Sequence, residues 1–96
     1  MMRIVFVDDE AEVLQAMSRS LREMRNEWNM EFAASGAAAL EVLDDIGGQL
    51  DLMVSDVVMP EMDGPTLLIK VRPKLPNPKV IFVSGYAEEN VRQDIA

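Results

Sequence analysis

The sequence predicts an α/β fold in which a parallel sheet of four strands carries helices on both faces. Two observations lead there. Short, solid apolar runs alternate with longer segments whose apolar residues recur at three- and four-residue steps. Three of the runs also end in polar groups: Asp8-Asp9-Glu10, Asp56, and Ser84-Gly85. Parallel strands would bring those groups to one edge of the sheet, where α/β folds open a ligand crevice.

Ile4 to Val7 is continuously apolar, as in a strand buried on both faces. From about Ala11 to Asn26 the period changes, and Leu14, Met17, Leu21, Met24 and Trp28 mark one helical stripe. Asp9, Glu10 and Glu12 fall near the start of that helix, where negative charge is favourable. Met30 to Ala34 alternates and suits a half-buried edge strand broken by Ser35-Gly36. A helix over Ala37 to Ile46 follows, ended by Gly47-Gly48. Leu52 to Ser55 is a central strand that delivers Asp56. Asp63 caps a short helix over Gly64 to Val71, and Pro73, Pro76 and Pro78 stiffen the connection after it. Val80 to Val83 is the fourth strand, and Ala87 to Ile95 a last helix. The βαβαβαβα order implies right-handed crossovers. With the alternating strand at the edge and the solid ones inside, the strand order is 2-1-3-4.

The 96 residues suit one domain with a single core. Without Cys or His, thiolate and imidazole catalysis are excluded, and a bound metal must be held by oxygen. A net charge of −8 argues against nucleic-acid binding by this domain. No segment is apolar for long enough to span a membrane, and Met1-Met2-Arg3 leads straight into a strand with no signal peptide. A soluble, cytoplasmic chain is expected.

Asp8, Asp9 and Asp56 brought together would repel one another, and a divalent cation would relieve that. Magnesium prefers octahedral oxygen ligands, usually one or two carboxylates with waters and a phosphate. Asp9 and Asp56 supply two carboxylates. An Asp can also act as a nucleophile and become an aspartyl phosphate, and Asp56 is the candidate. Asp63, Glu88 and Glu89 read as helix-start residues without chemistry.

Together, Asp8-Asp9-Glu10, the stretch Ser55-Asp56-Val57-Val58-Met59-Pro60-Glu61-Met62-Asp63-Gly64, and Val83-Ser84-Gly85-Tyr86-Ala87-Glu88-Glu89 resemble response-regulator receiver domains. These are the phosphoacceptor modules of two-component signalling. The likeness runs in order through the whole chain. It implies a flavodoxin-like three-layer sandwich and a phosphoryl group passed from a phosphohistidine donor to Asp56. It also implies Mg²⁺ held by Asp9, Asp56 and the backbone carbonyl of Val58, with Asp8 acting through water. Ser84 would be the hydroxyl that couples phosphorylation to conformational change. The partner would be a sensor histidine kinase or a histidine phosphotransfer protein. Such a module signals; at most it phosphorylates itself and slowly loses the phosphate.

A receiver normally continues into a fifth strand ending in Lys and a fifth helix, whereas this sequence ends at Ala96. One incomplete receiver domain over residues 1–96 is therefore expected. Residues 1 to about 47 resemble stand-alone regulators and residues 80 to 93 the receivers of hybrid kinases, so a fragment, a truncation and a chimera are all open. Loss of the Lys makes a phosphorylation-impaired interaction module the alternative function. A hydrolase of the haloacid dehalogenase type ranks last, because Asp8-Asp9-Glu10 lacks that family's two-residue Asp spacing. The exposed edge at Val80 to Val83 leads us to expect a homodimer or swapped oligomer.

Overall fold

In the computed structural model, residues 1–46, 49–75 and 79–83 are described. Four parallel strands, β1 (Met2–Val7), β2 (Trp28–Ala33), β3 (Leu52–Asp56) and β4 (Val80–Val83), form one sheet in the order β2-β1-β3-β4. The connections are α1 (Ala11–Ser20) with a 3₁₀ helix (Arg22–Asn26), α2 (Gly36–Asp45) and α3 (Gly64–Val71). The strand order is the one expected. The glycine pair after α2, Pro76 and Pro78, Ser84-Gly85, Tyr86 and the expected last helix lie outside the described residues.

Alternation along the strands builds a core on each face of the sheet. Ile4 and Phe6 of β1 pack with Leu14 of α1, flanked by Met17, Leu21, Trp28, Met30, Phe32, Leu52 and Val54. The Phe6 and Phe32 rings stack with centroids 5.0 Å apart. On the other face Val5, Val7 and Met53 meet Ala39 and Leu43 of α2 and Leu67 and Val71 of α3. Burying each large aliphatic side chain contributes about 1.5–3 kcal/mol. This double-sided burial is why β1 and β3 read as solid apolar runs.

Two helix starts follow from short polar side chains. The Ser35 hydroxyl accepts from the Ala38 N–H at 3.0 Å, and the Asp63 carboxylate accepts from the Thr66 N–H at 2.8 Å. Ser35, expected only to break a strand, thus also caps α2.

One expectation is corrected. The single helix over Ala11 to Asn26 instead ends at Ser20, Leu21 leaves helical geometry at φ −102° and ψ 15°, and a 3₁₀ helix follows. Trp28, placed by its spacing on the helical stripe, is the first residue of β2. A three-residue step such as Leu21 to Met24 fits either helix type, and the bulky indole suits a pleated, half-buried strand. Trp28 reaches the same core from the strand.

Candidate functional site

The site forms where β1 and β3 end side by side. Their register pairs Val7 with Ser55, so Asp8 and Asp56 emerge on adjacent strands at the same level. The Asp8 N–H donates to the Ala33 carbonyl at 3.1 Å, continuing the ladder one residue past β1. Its carboxylate accepts from the Glu10 N–H at 2.8 Å, which turns the chain into α1. Asp8 and Asp56 are buried, whereas Asp9 is exposed. One carboxylate oxygen from each of the three lies within 4.8 Å of the others.

Burial pushes the Asp56 carboxyl above its ordinary value, and the nearby Asp8 and, less strongly, Asp9 carboxylates add to this. Backbone N–H groups of Val58 and Val57 beside it act in the opposite sense. A buried acid that is both crowded by like charge and supplied with donors favours a bound cation over a bare carboxylate. Three hard oxygen donors are the set that suits a divalent cation.

The segment between β3 and α3 folds back over this edge. The Val57 N–H donates to the Val83 carbonyl at 3.2 Å, and the Gly64 N–H donates to the Val57 carbonyl at 2.9 Å. Met59 anchors the loop in the core. Glu61 takes φ 67°, closing a tight turn in which the Met62 N–H reaches the Pro60 carbonyl at 2.6 Å. Gly64 is required by close approach: a Cβ there would stand 2.6 Å from the Asp56 carbonyl and 2.7 Å from the Phe82 ring.

The structure therefore brings together Asp8, Asp9 and Asp56. Val58 sits two residues past Asp56 with its side chain outward, 59% exposed. Ser84 lies outside the described residues; its neighbour Val83 pairs with Asp56. Lys74 binds Asp44 of α2. Lys79 precedes β4, its carbonyl accepting from the Met53 N–H at the far end of β3. Two features went unread in the sequence: the Gly64–Asp56 contact and a hydrogen bond from the buried Ser55 hydroxyl to the Asp56 carbonyl at 3.0 Å. A hydroxyl in an otherwise apolar strand was the available signal for the second.

Comparison with known proteins agrees with this architecture. Residues 4–96 match the family model described as the response regulator receiver domain. A sensor kinase, CckA from Brucella abortus, is 49% identical over 86 residues, covering 90% of this chain and 9% of its own length. The crystallised receiver domain of a hybrid histidine kinase CckA is 37% identical at a TM-score of 0.77, covering 98% of this chain and 99% of that one. The response regulator TrrA of Thermotoga maritima, crystallised in complex with Mg(2+)-BeF, is 27% identical at a TM-score of 0.73, with 95% and 76% covered. This chain thus spans under a tenth of the kinase with which it shares nearly half its aligned residues.

Proposed function

This chain belongs to the response regulator receiver domain family, and from that premise we propose that Asp56 is its phosphoacceptor. The supporting observation is the convergence of Asp8, Asp9 and Asp56 at the carboxyl end of the sheet. In the proposed reaction a carboxylate oxygen of Asp56 attacks the phosphorus of a phosphohistidine. The new O–P bond gives an acyl phosphate as the P–N bond breaks, and the departing imidazole keeps the electron pair and takes up a proton. The donor is a sensor histidine kinase or a histidine phosphotransfer protein, and the reaction belongs in the cytoplasm.

The donor set fits Mg²⁺: Asp9 and Asp56 would hold it, with the Val58 carbonyl as a third ligand and Asp8 through water. A bound magnesium ion would offset negative charge on the phosphoryl group. The chain's own contribution is to present Asp56 at a fixed strand end, with the Val57 and Val58 N–H groups beside its carboxylate. Ser84 is the proposed switch hydroxyl. Acetyl phosphate with magnesium tests the reading: a phosphoryl group should appear on Asp56 and vanish in Asp56→Asn. Label found on Asp8, Asp9 or Ser84 would overturn the assignment.

A further inference from the structure

Ser55 is fully buried, yet its neighbours in the sheet rows, Val7 on β1 and Phe82 on β4, are apolar. A hydroxyl gains nothing from such surroundings unless it is hydrogen-bonded. Its bond goes to the carbonyl of Asp56, the next residue, at 3.0 Å.

We propose that Ser55 is a positioning residue for Asp56, its hydroxyl holding the peptide between Asp56 and Val57 so that the strand end presenting the acceptor carboxylate stays fixed. Three hydrogen bonds pin this part of the backbone: Ser55 Oγ to the Asp56 carbonyl, Val57 N–H to the Val83 carbonyl, and Gly64 N–H to the Val57 carbonyl. Of these, the Ser55 bond is the one made by a side chain. Rotation of that peptide would swing the Val57 N–H away from the Val83 carbonyl to which it donates at 3.2 Å. Gly64 packs against the same carbonyl, since a Cβ added there would stand 2.6 Å from the Asp56 oxygen. Ser55 touches no reacting atom; it acts through the backbone of the residue that does.

The inference rests on the reading of Asp56 as phosphoacceptor, so its test has one arm that needs no phosphoryl transfer. Ser55→Val and Ser55→Thr place side chains of the same shape in the pocket and differ only in the hydroxyl. At saturating magnesium, Ser55→Val should accept phosphate from acetyl phosphate about tenfold more slowly than Ser55→Thr. By hydrogen exchange the Val57 amide should lose about tenfold in protection in Ser55→Val, with the Val5 amide in β1 unchanged. Equal labelling rates or equal Val57 protection in the two variants would overturn the proposal. If the unmodified chain takes no phosphate on Asp56, the receiver chemistry fails, and Val57 exchange still decides whether Ser55 anchors the peptide.

Discussion

The Cα of Gly64 lies so close to the backbone carbonyl of Asp56 that an added methyl carbon would stand 2.6 Å from its oxygen. The same methyl would meet the Phe82 ring at 2.7 Å. The start of α3 is therefore packed directly onto the residue that ends β3.

Gly64→Ala should force the loop and the strand end apart. We expect a loss of about 1–3 kcal/mol, the usual range for overpacking, and slower labelling of Asp56 by acetyl phosphate. Urea melts and a labelling time course would check both. A variant as stable and as fast as the unmodified chain would refute the account of this contact.

Asp56→Asn should stabilise the cation-free protein at neutral pH. The folded carboxyl titrates above its ordinary value of 3.8. Between that value and the raised one, the folded state keeps a proton that the unfolded state has released. Stability must fall as pH rises through this window, and the deficit persists above it. With EDTA at pH 7 the variant should melt a few degrees higher; for a domain of this size roughly 4–8 °C corresponds to 1 kcal/mol. The advantage should disappear below about pH 3.8, where both forms are neutral. A lower melting temperature at pH 7 would contradict the electrostatics described for the site.

Magnesium should stabilise the chain by mass action, by about 2.7 kcal/mol at a hundred times its dissociation constant. Asp9→Asn removes one of the converging carboxylates and should abolish most of that gain. Melting curves across a magnesium titration would measure it, and an unchanged rise would exclude Asp9 as a ligand.

Leu67 and Ile69 separate core from surface within one helix. Leu67 is completely buried in the cluster shared with α2, whereas Ile69 is 66% exposed. Leu67→Ala should cost about 2–5 kcal/mol and Ile69→Ala about 0.5 kcal/mol or less. Chemical denaturation of the two variants side by side would check the contrast.

The elements whose apolar pattern admits one reading were legible in the sequence. The runs at Ile4–Val7 and Leu52–Ser55 could only be buried strands, and the α3 bounds and its Asp63 cap followed from local residues alone. The carboxylate cluster followed in turn, because parallel strands must deliver their carboxyl ends to one edge. Where one spacing serves two geometries, sequence was insufficient. Leu21, Met24 and Trp28 satisfy an α-helical stripe, yet tertiary packing divides them among a helix end, a 3₁₀ helix and a strand. Contacts between backbone atoms were also invisible. The Ser55 hydroxyl in an apolar strand signals a hydrogen bond but does not name the Asp56 carbonyl as its partner, and a glycine after Asp63 reads as a helix start whether or not a strand end lies against it.

The left-handed backbone of Glu61 has a bearing on engineering. An ordinary side chain at φ 67° costs about 1–2 kcal/mol that glycine would avoid and asparagine partly so. A protein designer seeking a hardier domain would begin with that substitution. The residue lies on the segment linking Asp56 to Gly64, however, so relaxing it alters the freedom of the loop that borders the acids. In this chain the most accessible gain in thermal tolerance and the tuning of the site draw on the same few backbone angles.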